Sequence, residues 1–553
     1  MRCIKSIFKI AFVTLFLITT QGSAQQEQSL IKTDEENAIS IKDIKVDTKI
    51  IGDIAYTIYT IEVFNNLDRQ LSGEIEFPLS DKQSIIGYAL DIEGELRKAV
   101  GVDKVKGRTA YEDIVSRNVD PALLEKTEGN NFKTKIYPIP SQGSRIIELE
   151  VIENLVWANG SAAFELPVDF KEKIDKKEIT IDFIGFSNEL KLANYDSFVL
   201  KKDASSPTLF STTATEIAIK ITPKKKQFSF YQEHQGEYFY YNSAILTETP
   251  IALEQPKVIN VLWDTSRSRK DLVLQEVEFL KTLSKRLKKV QFNIIHFNTS
   301  IIDTQTIKVR NGNTNKLEKY LTTLAYDGAT QYGCIQELPE ADFNILCSDG
   351  LGNFGDTKFL KSGITTYTVT AQTSFNASLL TSIARENGGV FINLQHQTPD
   401  SSVQRILQEN TVFSGYKGKN IYSFYPPVNT KLTDNRFNSV ARGKMSQELS
   451  IGFTKGNDIT LTPLEIKKPT LDLKKYFAIQ KVKELSINPE ENKEELLRLG
   501  LRYNLLTDYT SLIVLETLED YINNEIVPPN KDWEKLYYDN IQLAQLRLSL
   551  IHI

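Results

Sequence analysis

The sequence predicts a multidomain protein of β and α/β character: an N-terminal β-sandwich, a central doubly wound α/β domain on a parallel sheet, and a mixed β/helical C-terminal region. Three observations predict it. The chain has 553 residues, more than one hydrophobic core holds, so several domains are required. Apolar and polar residues alternate with strand period between Ile39 and Leu155, as at Thr57, Tyr59, Ile61 and Val63 and again at Ile147, Leu149 and Val151. At Pro256 the texture changes to strands alternating with helices, the mark of a parallel sheet joined by helical crossovers.

The first element is a segment for removal. Arg2, Lys5 and Lys9 precede an apolar run from Ile10 to Ile18, and Gly22-Ser23-Ala24 supplies the small residues a signal peptidase needs. Residues 1–24 read as a cleavable export signal, which places the mature chain in the periplasm, on the cell surface or in the medium. That run is short for a membrane span, and no later stretch reaches the ~20 apolar residues a transmembrane helix requires. No Cys stands immediately after Ala24 for a lipid anchor.

Residues 38–155 form the predicted sandwich, interrupted by one helix over Thr109–Ser116 with Tyr111, Ile114 and Val115 on its apolar face. Residues 156–255 are a β-rich extension, with alternation at Ile179, Ile181 and Phe183 and at Ile217, Ile219 and Ile221. The α/β domain spans 256–410. Val258–Trp263 is apolar except at Asn260, as a strand covered on both faces demands. A helix follows over Asp271–Lys288, then a strand at Val290–Phe297, a short helix at Lys316–Leu324, and strands at Phe343–Cys347 and Thr366–Thr370. A helix at Ala377–Glu386 ends at Gly388-Gly389 before the strand Val390–Leu394. Residues 411–470 return to β alternation, and 471–553 are helical, with helices over Lys474–Glu484 and Asn492–Leu505.

Chemistry concentrates in the α/β domain. Asp264, Ser266 and Ser268 form a DxSxS run at the end of the first strand, Thr330 lies in the loop Tyr326–Thr330, and Asp349 follows the strand Phe343–Cys347. Ligands gather at the carboxyl ends of strands in such sheets. Hydroxyls and carboxylates are the oxygen donors that a hard cation such as Mg²⁺ prefers, with Mn²⁺ and Ca²⁺ as alternatives. Taken alone, DxSxS equally fits a turn in which Ser268 caps the following helix. Asp327 reads as a turn residue.

Other chemistries are excluded or left open. Lys+Arg 66 against Asp+Glu 71 gives a net charge of -5, so no basic field exists to attract nucleic acid. His234, His296, His396 and His552 show no metal-ligand spacing and no nucleophile motif accompanies them. His296 reads as a hydrogen-bonded structural histidine. Cys334 and Cys347 are either bridged or two half-buried thiols.

The N-terminal residues Phe64-Asn65-Asn66, Glu76-Phe77-Pro78-Leu79, Gly87, Gly107-Arg108, Ala110-Tyr111-Glu112, Phe132, Pro138 and Pro140 resemble the pattern of the VIT domain. That module opens vault-associated proteins and inter-alpha-trypsin inhibitor heavy chains. Each of these residues also has a structural reading, with Arg108 pairing a nearby carboxylate. The DxSxS, Thr330 and Asp349 set resembles the metal-ion-dependent adhesion site of von Willebrand factor A domains, which share a Rossmann-like fold. The resemblance implies that Ser266, Ser268 and Thr330 touch the metal, and that Asp264 and Asp349 hold it directly or through water. Gln331 stands where the family places Asn. The passage Arg502–Val514 is similar to the segment that follows the A domain in the heavy chains, and it is expected to fold back onto the earlier β region. The Asp-Pro-His sequence used by heavy chains for polysaccharide attachment is absent, the one Asp-Pro being Asp120-Pro121.

These readings imply an exported, non-enzymatic protein that binds a protein ligand through a carboxylate placed on the metal. The alternative is an envelope scaffold in which metal mainly stabilises the A domain.

Overall fold

A computed structural model describes residues 31–551 apart from 33–34, 36–37, 79–81, 117–120, 128–130, 159–160, 169, 171, 185–189, 203–206, 224–226, 247–250, 271, 353, 357, 419, 433–435, 455–457 and 467–470. The export segment 1–24, Asp120 and His552 lie outside the described residues.

Two large sheets build most of the N-terminal core, and a four-stranded sheet that includes Ser161–Pro167 and Glu216–Pro223 adds to the same cluster. An eight-stranded sheet is built around the antiparallel strands Ile39–Ile51, Ile54–Asn65, Ser144–Asn154 and Gln83–Ile92. A six-stranded sheet carries Leu71–Pro78, Asn131–Ile139 and Ala122–Lys126. Their inward residues, among them Ile44, Val46, Ile61, Ile75, Leu124, Ile136 and Leu149, form one cluster buried from solvent, which is what the period-2 alternation prepares. Asn65, fully enclosed, ties this core together: its amide donates to the carbonyls of Arg69 (2.7 Å) and Pro140 (3.0 Å). Arg108 pairs Glu125 at 2.8 Å, as expected. The helix begins at Lys104, five residues before the expected start at Thr109, because the Asp103 carboxylate accepts the amides of Val105 and Lys106.

The segment 156–255 both extends the first sheet and bridges onward. Ile174–Ile184 adds parallel to Ile39–Ile51, while Gln227–His234 and Glu237–Ile245 pair in a second sheet that Arg436–Gly443 joins from beyond the α/β unit. Further on, Thr510–Val514 enters the six-stranded sheet between Val100–Asp103 and Ala122–Lys126, so the chain does fold back. Thr510 there fills a turn role, its hydroxyl donating to the Leu505 carbonyl at 2.7 Å.

The α/β unit is inserted into this β body. Its entry and exit run side by side: Ala252 bridges Gln408, Leu253 N donates to Leu407 O, and Glu409 N to Ile251 O, both at 2.9 Å. Its strands are β1 (Val258–Asp264), β2 (Val290–Phe297), β3 (Ile301–Val309), β4 (Phe343–Cys347), β5 (Thr366–Thr370) and β6 (Gly388–Asn393), with helices α1 (Val273–Leu287), α2 (Asn315–Thr322), α3 (Ala377–Glu386) and α4 (Pro399–Ile406). The sheet order is β3-β2-β1-β4-β5-β6. All neighbours are parallel except β2 and β3. On one face Ile259, Val261 and Trp263 pack with α1, α2 and α4; on the other, Leu262 and Leu346 meet α3 and the loop Tyr332–Ile335. Asn260, the polar exception in β1, belongs to a buried amide ladder: it donates to Asn344 and accepts from Asn293, both at 3.0 Å.

The unit meets the rest of the chain through polar contacts. Arg385 on α3 pairs Glu484 of the helix Leu473–Leu485, and Ser382 reaches Asn488 at 3.4 Å. A cavity of about 410 Å³ lies at this junction, lined in part by Gln83, Thr381, Asn438 and Gln480. Beside Gln83, Glu153 is partly buried: Oε2 accepts from Gln83 at 2.9 Å, while Oε1, shielded from solvent, has no hydrogen-bond partner among the described residues. Burial pushes this carboxyl from 4.5 up to about 7. The fold therefore binds the proton more tightly than the unfolded chain does. The resulting stability is full below pH ~4.5 and is lost as pH rises through about 7, a swing on the order of 3 kcal/mol. Glu153→Gln is expected to raise the melting temperature at pH 8 and leave it little changed at pH 5. An unaltered slope of Tm against pH would disprove this assignment.

Candidate metal centre

The five predicted residues converge at the carboxyl end of the sheet, between β1 and β4, where the strand order reverses. Ser268 Oγ donates to Asp349 Oδ2 at 2.5 Å and lies 3.2 Å from Ser266 Oγ. Thr330 Oγ1 lies 3.3 Å from Asp264 Oδ2. Ser268 is exposed, whereas Asp264, Ser266, Thr330 and Asp349 are buried, so the cluster opens to solvent on one side. Ser268 does not cap α1, whose N-cap is Leu272 with no side-chain bond.

Three loops build the geometry from local rules. In the first, Asp264 Oδ1 accepts the Ser266 amide at 2.9 Å, turning the chain so that both serines face the same pocket. In the second, Gly328 has φ +75, a left-handed conformation that favours glycine. Asn298, at the end of β2, grips this loop with both its side chain and its backbone: Nδ2 donates to Asp327 O at 3.0 Å, and its carbonyl accepts Gln331 N at 2.9 Å. The Asp327 carboxylate accepts the Gly328 amide at 2.8 Å, the expected turn role. Gln331 packs on Gly355, where a Cβ would come within 2.8 Å of its amide carbon. In the third, Asp349 Oδ1 accepts Leu351 N at 2.9 Å, and Asn376 N at the head of α3 donates to the Asp349 carbonyl at 2.8 Å. Gly350, at φ +74, leaves no room for a Cβ, which would lie 2.8 Å from Asn376 O.

Sequence reasoning missed Ser348. Its buried hydroxyl donates to Asp264 Oδ2 at 2.6 Å and meets the Tyr332 hydroxyl at 2.7 Å. Its position beside Asp349 at a strand end was the available signal. It also missed Asn298. His296 stands apart from the cluster. Its ring meets Tyr320 edge-on, and its Nδ1 has no hydrogen-bond partner among the described residues, which corrects the expectation of a hydrogen-bonded histidine. Burial lowers its pKa. The two cysteines are free. Cys347 packs on the α1 face of the sheet and Cys334 on the α3 face, so the sheet separates them.

The donor set fits a hard divalent cation. Burial and then the neighbouring Asp264 charge push the Asp349 carboxyl up, with the Ser268 hydroxyl pulling it back. Two carboxylates crowded with three hydroxyls form an electron-rich pocket that a small cation would relieve. Among the described residues no three His, Cys, Asp or Glu side chains converge, and none of the helices is long and apolar enough to cross a membrane.

Comparison with known proteins bears on the N-terminal module. The model of the Vault protein inter-alpha-trypsin domain, VIT, matches residues 41–151. The human inter-alpha-trypsin inhibitor heavy chain H4 is 19% identical over 571 residues, covering 87% of this chain and 61% of that protein. The mouse inter alpha-trypsin inhibitor, heavy chain 4 is 21% identical over 204 residues, covering 37% of this chain and 22% of its own. The chain thus spans less than two thirds of the relatives it matches. Among solved structures, the ArnB paralog VWA2 from Sulfolobus acidocaldarius superposes with a TM-score of 0.24 at 13% identity, covering 57% of this chain and 93% of that one. An M1 zinc metallopeptidase from Deinococcus radiodurans gives 0.21 at 7%, covering 35% and 44%. The chain is a VIT-containing protein similar to the inter-alpha-trypsin inhibitor heavy chains.

Proposed function

We propose that this protein is an exported, non-enzymatic binding protein whose α/β unit is a von Willebrand factor A domain with a divalent-metal-dependent adhesion site. The observation that carries the reading is the convergence of Ser268 on Asp349 and of Thr330 on Asp264 at the β1/β4 reversal. Ser266, Ser268 and Thr330 would hold Mg²⁺, or Mn²⁺ or Ca²⁺, through hydroxyl oxygens, with Asp264 and Asp349 holding it directly or through water. Such an ion, ligated largely by neutral oxygens, supplies a Lewis-acidic position for one carboxylate of a protein ligand. The chain's own residues orient that position: Asn298 fixes the Thr330 loop, and Ser348 holds the Asp264 carboxylate. The exposed Ser268 side is the approach for the partner.

The test is a pull-down from envelope or matrix extracts with Mg²⁺ and with EDTA. Partners released by EDTA and restored by Mg²⁺ are expected. Retention of every partner in EDTA would instead favour a scaffold in which the metal stabilises the fold.

A further inference from the structure

Directly behind Asp264 a guanidinium is wholly enclosed. Arg269 has 0% exposed surface and lies 5.3 Å over the Trp263 ring. It donates through Nη1 to the Asp264 carbonyl and through Nη2 to the Glu276 carboxylate. Glu276, also at 0% exposure, accepts the Ala371 amide at 3.0 Å with its other oxygen, and Gln372 Nε2 lies 3.4 Å from the Arg269 carbonyl. The pair thus joins the end of β1, the first turn of α1 and the exit of β5.

A permanent positive charge behind a pocket that would take a cation works against that pocket unless it is neutralised. Solvent and salt do not screen a group so enclosed. Among the described residues the carboxylate that pairs with Arg269 is Glu276, and Glu276 is not among the proposed metal-holding residues.

We propose that the Arg269–Glu276 ion pair sets the affinity of the neighbouring site for its cation, with Glu276 cancelling the field of Arg269. This rests on the metal reading of the site given above. Glu276 is a positioning and charge-balancing residue that acts through Arg269 and does not touch the ion. Removing Glu276 alone exposes the pocket to an uncompensated charge. Removing both charges leaves the pocket balanced again, and apolar replacement of a buried pair is commonly tolerated by the fold.

The experiment is calorimetric titration of Mg²⁺, and separately Mn²⁺, into the full chain and its variants, each checked for native circular dichroism. Wild type is expected to bind and Asp264→Ala not to bind. Glu276→Gln is expected to weaken binding about tenfold or more, the effect of one unbalanced charge at a protein-like dielectric. The double variant Arg269→Met with Glu276→Leu is expected to return to within about threefold of wild type. Should Glu276→Gln fail to fold, Arg269→Met alone decides, since it is expected to bind no more weakly than wild type. A merely structural pair would weaken binding in every variant, the double one included, and that result overturns the proposal. If wild type and Asp264→Ala behave alike, the metal site itself falls, and the charge-balance proposal with it.

Discussion

Asp264→Ala is expected to erase the rise in melting temperature that Mg²⁺ gives the wild-type protein. The size of that rise follows from linkage: an ion at 100 times its Kd stabilises the native state by about 2.7 kcal/mol, which corresponds to several degrees for a unit of this size. Asp264 is central because its carboxylate accepts from the Ser266 amide, from Ser348 and from Thr330 at once. Its loss removes a metal-holding oxygen and also unties three groups that shape the pocket. Thr330→Val, which removes one hydroxyl and keeps the volume, should weaken the metal response less. Differential scanning fluorimetry with and without Mg²⁺ reads both. An identical Mg²⁺ shift in wild type and Asp264→Ala would refute the site.

Asp53→Ala is expected to destabilise the β body by about 3–5 kcal/mol, the usual cost of leaving one member of a buried pair alone. Asp53 sits in the turn between the first two long strands with 0% exposure, and Arg436, on the strand Arg436–Gly443, is 6% exposed. The guanidinium donates to both carboxylate oxygens, and Ser243 donates to one of them. The same guanidinium stacks 3.9 Å from the Trp157 ring centroid. Burial raises the Asp53 carboxyl and Arg436 pulls it down; with the carboxylate gone, the buried guanidinium loses the charge it pairs with. The fall in Tm is expected to be about 10 °C. A loss below about 1 kcal/mol in denaturant melts would show that water or another acceptor replaces Asp53.

Which parts of the fold could be read from sequence depended on how each element is covered. Val290–Phe297, Phe343–Cys347 and Thr366–Thr370 are predicted at their observed bounds because central strands need apolar or β-branched residues at nearly every position. The edge strand Ile301–Val309 is not, since seven of its nine positions are exposed and its Thr, Gln and Asp residues carry no period. The helix Pro399–Ile406 also escapes notice, although Thr398 before Pro399 is a capping signal that was available, and Lys531–Ile551 lies in the stretch read as helical but without its bounds. The five site residues are legible because they stand at strand ends in the types that turns and cations require. The layer behind them is not. Arg269 directly after an exposed serine looks like a surface charge, and only tertiary structure shows it enclosed with a glutamate seven residues away.

The strand Thr510–Val514 lies inside the sheet of the N-terminal module, not at its rim. During synthesis, residues 41–151 leave the ribosome more than three hundred residues before this strand exists. Until it arrives, the edges of Val100–Asp103 and Ala122–Lys126 that it pairs with stay open to other strands. The nascent N-terminal module thus needs protection until the far end of the chain is made, and a fragment cut at residue 155 would keep those edges exposed for good.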